Sequence, residues 1–140
     1  MSGKKWEHFN HQADIGVRGY GASMGECFAN AAAAMTAVIT DVKITGRDEA
    51  AAIECECDDA EVLLADWLNA VVYEMAVRGA IFGEFEVEIS GGKLRGWARG
   101  EKMDAGRHEM AVEVKGATYT ELKVFQGDDG VWVGQCVVDV

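Results

Sequence analysis

Proline is absent from the 140 residues of this chain, which excludes a proline-rich linker and a polyproline ligand. Its four cysteines, Cys27, Cys55, Cys57 and Cys136, form no CxxC pair, which fits reduced thiols packed as small hydrophobes and not a disulfide scaffold. Cys55 and Cys57 share one face of a presumed strand, but the second pair that a soft-metal site needs is missing. No window approaches the roughly 18 consecutive apolar residues of a membrane helix, and the start, Met1-Ser2-Gly3-Lys4-Lys5-Trp6-Glu7-His8, lacks the apolar core of a signal peptide. A cytoplasmic protein is the expectation. Basic residues are scarce: 13 Lys plus Arg stand against 24 Asp plus Glu, for a formal charge of −11. A surface of that sign repels phosphate backbones, so no direct nucleic-acid binding is expected, and it attracts divalent cations and basic protein surfaces. Familiar catalytic signatures are also missing, with no GxSxG, Walker A loop, HExxH or GxGxxG, which weakens an enzymatic reading.

What is present suits a folded chain: 49% hydrophobic and 26% charged residues match the soluble globular average. A chain of this length removes roughly two-thirds of its extended surface from water on folding, and one domain is expected. Ile15 to Tyr20 alternate as a half-buried strand does. Ser23-Met24-Gly25-Glu26 supplies a capping box, and the helical spacing of Cys27, Phe28, Ala31, Ala32, Met35, Val38 and Ile39 predicts a first helix ending at Thr40-Asp41. Ala52 to Cys57 alternate again. Asp58 followed by Glu61 repeats the capping pattern, opening a second helix from about Asp59 to Arg78 with its stripe on Val62, Leu63, Trp67, Leu68, Val71, Val72 and Met75 and a stop at Gly79. A hairpin follows, Ile81 to Ile89 and Lys93 to Arg99 about Gly91-Gly92, then short strands at Met110 to Val114 and Leu122 to Phe125, an Asp129-Gly130 turn, and a last strand over Val131 to Val138. The layout is α+β: two main helices packed on a mixed, mainly antiparallel sheet.

Few residues point to chemistry. His11 and Asp14 could pair an imidazole with a carboxylate, while His8 and His108 show no pattern. Asp139 lies beside Val140, whose α-carboxylate adds a second anionic group. If the last strand runs beside Asp14, three anionic oxygen ligands meet, a donor set suited to Ca²⁺ or to Mg²⁺ with retained waters. Lys115 enters a loop with two hydroxyls nearby, a setting able to aim an ammonium at a phosphate or an acidic partner. Trp67, Trp97 and Trp132 read as core or sheet-face aromatics.

Four stretches together resemble the archease family: His11-Gln12-Ala13-Asp14-Ile15-Gly16-Val17, Leu63-Leu64-Ala65-Asp66-Trp67-Leu68-Asn69, Val114-Lys115-Gly116-Ala117-Thr118-Tyr119 and Val137-Val138-Asp139-Val140. The likeness covers nearly the whole chain in the same order, so residues 1–140 read as one archease-like domain. The resemblance implies a small α+β protein that is not itself a catalyst. It would activate an RtcB-type tRNA-splicing RNA ligase, a manganese- and GTP-dependent enzyme, promoting its guanylylation and multiple turnover through a bound divalent cation. That cation, most often calcium, with magnesium or manganese as alternatives, would be held by Asp14, Asp139 and Val140, and Lys115 would assist the ligase. A chaperone-like action on a tRNA cytosine-5 methyltransferase is the other function the resemblance implies. A metal-dependent hydrolase fits least, since no nucleophile or general base is evident. The family commonly carries Thr where Gln12 stands and His where Thr120 stands, so roles of those side chains do not transfer. The metal-bearing positions do match.

Overall fold

The computed structural model describes residues 4–140; the reading of the chain's first residues as lacking a leader rests partly on 1–3, outside the described residues. Among the described residues eight strands and three helices follow in the order β1 (Trp6–His11), β2 (Asp14–Gly21), α1 (Met24–Ile39), β3 (Glu49–Glu56), α2 (Ala60–Arg78), β4 (Ala80–Ser90), β5 (Lys93–Lys102), α3 (Ala105–His108), β6 (Gly116–Ala117), β7 (Lys123–Gln126) and β8 (Trp132–Asp139). The fold is α+β. The strands divide into two sheets, β1-β2-β8 with β6 and β7 both on the far edge of β8, and β3-β5-β4. Every pairing is antiparallel. Among the described residues no helix is long and apolar enough to cross a membrane.

Local chemistry explains the helices. The Ser23 hydroxyl accepts from the Glu26 amide at 3.1 Å, and the Glu26 carboxylate reaches back to the Ala22 amide at 2.9 Å, so the capping box closes one residue earlier than the pattern implies. At α2 the cap is Asp59, not Asp58, and its carboxylate takes the Glu61 and Val62 amides. Gly79 ends that helix in the left-handed region at φ 59°, where a side chain is strained.

Both helices lie against both sheets. A Cβ on Gly19 of β2 would come within 2.3 Å of the Ala31 backbone nitrogen, so α1 sits directly on the first sheet. Its other side meets the second sheet, where the Thr36 hydroxyl donates to the Phe82 carbonyl at 2.7 Å. On α2, Leu64 covers Gly134 of β8, while the Trp67 ring lies over Gly96 of β5 and its indole donates to the Phe28 carbonyl at 3.0 Å. One apolar cluster therefore runs through helices and sheets alike, and α2 buries Leu64 and Ala65 besides the anticipated stripe, whose Val62 and Val72 are only half-buried.

Two departures from the sequence pattern stand out. Trp6–His11 is a strand although its spacing announces none; it exists because it pairs along the edge of β2, from Trp6↔Gly19 to His11↔Asp14. Met110 to Val114, anticipated as a strand, has no ladder. The Ala111 amide bonds to the Ile39 carbonyl and the Lys115 amide to the Asp139 carbonyl, two isolated anchors at either end of an irregular strap.

Candidate functional site

Strand β8 is central to the first sheet, and its final residues meet both chain halves. Its ladder with β2 runs to Ile15↔Val138, which sets Asp14 and Asp139 at the next position of neighbouring strands. On the other side Gly116 pairs with Asp139, and the Lys115 amide donates to the Asp139 carbonyl at 2.7 Å. His11 faces Asp14 across the β1–β2 hairpin. One row across four strands thus reads His11, Asp14, Asp139, Gly116, with Lys115 and Val140 adjoining it.

The face this row occupies follows from the pleat. Val17, Cys136 and Val138 are buried against the helices, so Asp14 and Asp139 project from the opposite side. Asp14 is half-buried, Asp139 and Lys115 are exposed, and Val140 packs its apolar side chain on the core. The residues anticipated as a group are therefore gathered at one sheet end. Among the described residues no three His, Cys, Asp or Glu side chains gather as a metal-holding cluster. The carboxylates of Asp14 and Asp139 are hard oxygen donors, and their chemistry fits a hard divalent cation that takes its remaining ligands from backbone oxygens and water.

Helix α2 positions the Lys115 side of the site. Asn69 Oδ1 accepts from the Ala117 amide at 2.9 Å, and its Nδ2 donates to the Ala117 carbonyl at 3.4 Å. This clamp replaces ladder bonds that β6, only two residues long, has on one edge alone. Thr118 continues the anchoring: its amide and hydroxyl both donate to the Val137 carbonyl, at 3.0 and 2.7 Å. The neighbouring Tyr119 and Thr120 side chains are exposed, and Gln12 occupies the β1–β2 turn at φ 54°. The Asn69 clamp was not legible beforehand, although Asn69 ends one of the four resembling stretches.

Beside the row, the same outer face carries a polar chain. The Glu7 carboxylate accepts from Tyr20 at 2.5 Å and from Arg18 at 2.6 Å, Arg18 also donates to Gln135 at 2.8 Å, and Gln135 donates to the Glu121 carbonyl at 3.1 Å. The Tyr20 hydroxyl and the Arg18 guanidinium hold the Glu7 carboxyl down at about 2. Alternation along β2 marks Arg18 and Tyr20 as one polar face, but Glu7 needed the unannounced β1. Two histidines without sequence pattern also have partners. His8 Nε2 lies 2.7 Å from the Ala34 carbonyl. His108 is fully buried; its Nδ1 accepts from the Asp104 amide at 2.8 Å, leaving Nε2 to donate to Glu101 at 2.9 Å. Glu101 also pairs with Arg107 and accepts from the Gly46 amide, and His108 with that amide keeps its carboxyl below the usual range.

These features define a class: a small α+β protein with its two long helices between antiparallel sheets and an acidic site assembled from both ends of the described chain. A match to the archease protein family extends over residues 6–140, and the chain belongs to that family. It is 40% identical to the archease of Pyrococcus abyssi over 98% of this chain and 99% of that protein. With the archease of Methanopyrus kandleri the identity is 37% over 96% and 99%. The solution structure of Methanobacterium thermoautotrophicum protein 1598 superposes with a TM-score of 0.81 at 29% identity, covering 97% of this chain and 99% of that one.

Proposed function

We propose that this chain is a protein cofactor of an RtcB-type RNA ligase, promoting guanylylation and multiple turnover of that enzyme without catalysing a reaction itself. The observation that carries this reading is the convergence of Asp14, Asp139, Val140 and Lys115 at one end of the first sheet. Asp14, Asp139 and backbone oxygens of Val140 would hold a divalent cation, calcium first and magnesium or manganese next, which when bound supplies positive charge to phosphate oxygens. Lys115, kept at the same end by its amide bond to Asp139 and by the Asn69 clamp on β6, offers an ammonium to a phosphate or a carboxylate of the partner. The formal charge of −11 suits a basic enzyme groove, so association weakens as salt rises.

Adding the protein to ligase at limiting GTP and metal tests the reading: faster covalent guanylate formation is expected, and an unchanged rate overturns it. Calorimetric titration with Ca²⁺ tests the ion site separately. Asp14→Ala and Asp139→Asn are expected to lose the binding heat, and heats equal to wild type remove the site. A second reading, a chaperone-like modulator of a tRNA cytosine-5 methyltransferase, is favoured by exposed Tyr73 and Val77 on α2. Co-purification with the methyltransferase and not the ligase would select it.

A further inference from the structure

An open groove of about 700 Å³ lies between the second half of α2 and the irregular strap that follows α3. Its walls are apolar: Ile39, Val72 and Met75 on the helix side, Met103, Met110 and Val112 on the other. Met103 and Val112 are 41% and 37% exposed, and such side chains on a folded surface mark a place where another apolar surface is received. Three of the six methionines line it, and unbranched thioether chains reshape around whatever enters. The strap is joined to the body through the Ala111 and Lys115 amides at its ends, so its apolar side chains line the groove without the rigidity of a strand.

The groove is continuous with the proposed ligase site. Lys115 is one of its lining residues, and the amide of the same residue donates to the Asp139 carbonyl. A partner served by the Asp14–Asp139 row is therefore within reach of the groove. Its charge selects the occupant further. Glu113 lines the groove, with Lys115 as its other charged residue, and Glu109 is exposed next to Met110 on the same strap; neither glutamate enters an ion pair among the described residues, in a chain of net charge −11. We infer that this groove is the docking site for one amphipathic, basic-flanked segment of the partner enzyme, whose apolar side chains enter between α2 and the strap while its Lys and Arg residues meet Glu109 and Glu113. The inference rests on the ligase reading above.

Full-length protein and an RtcB-type ligase, measured by surface binding at two salt concentrations, test it. Val112→Asp and Met103→Asp are expected to weaken binding about tenfold or more, as charge does at the apolar centre of an interface. Both sites are partly exposed, so thermal melts near wild type will show that the variants fold. Phe125→Asp, at a 47% exposed apolar residue on β7 outside the groove, is expected to bind as wild type does. Glu113→Lys is expected to slow association most at low salt. Wild-type binding with undiminished affinity in Val112→Asp and Met103→Asp overturns the groove and leaves the ligase reading standing. Equal weakening by Phe125→Asp does the same. A wild-type protein that does not bind ligase overturns both, and sedimentation showing that Val112→Asp abolishes only self-association assigns the groove to a second copy instead.

Discussion

Asn69 shows how much of the site depends on single side chains that carry no charge. It holds both backbone groups of Ala117, and β6 is too short to hold itself. Asn69→Ala is expected to cost about 1–2 kcal/mol and to speed amide hydrogen exchange at Ala117 and Lys115; exchange rates equal to wild type would contradict the clamp. The cysteines divide on similar grounds. Burial pushes the Cys27 and Cys136 thiols up to about 12, which leaves almost no thiolate at neutral pH. Cys55 and Cys57 are half-buried. Alkylation of the native protein is therefore expected at Cys57 and Cys55 before Cys27 or Cys136, read by peptide mass spectrometry; equal labelling of all four would show that the buried thiols are reached by local opening.

Among elements, α2 does the most different things along its length. Its first half lies between the sheets, with Leu64, Trp67 and Leu68 fully buried, while Tyr73 and Val77 beyond are 62% and 59% exposed. The helix must stop where β4 begins at Ala80, and Gly79 accomplishes this with φ 59° and open space where a Cβ would lie. Gly79→Ala therefore meets no clash, only the backbone strain of a left-handed alanine, about 1 kcal/mol. A melting temperature unchanged by that substitution would show that the turn relaxes to another conformation. The strap after α3 is the opposite kind of element: its backbone bonds only at the ends, and while Val114 joins the core and Met110 packs against it, Val112 stays exposed on the groove.

At the scale of the whole molecule, two carboxyls couple folding to pH. Glu7 and Glu101 both titrate lower in the folded chain, Glu7 at about 2. The stability they add is therefore complete above the unfolded carboxylate value of about 4.3 and drains away as pH falls toward the folded value. Thermal melts between pH 7 and 3 are expected to show a steep loss on the acid side that Glu7→Gln makes shallower; identical slopes would mean that the Tyr20 and Arg18 contacts do not stabilise the charged carboxyl. Periodicity and end signals were enough for α1, α2, the β4–β5 hairpin and β8, because a helix stripe, a cap or a Gly-Gly turn is a matter of neighbours a few residues apart. Asp14, Asp139, Val140 and Lys115 could be picked out by family likeness, yet their meeting depended on β8 lying between β2 and β6. The edge strand β1, the Arg18–Gln135 bond spanning 117 residues, the buried His108–Glu101 pair and the failure of 110–114 to form a strand left no local trace. Each follows from which distant surfaces exclude water together, and that is settled by packing of the entire chain, not by the order of residues along any one stretch.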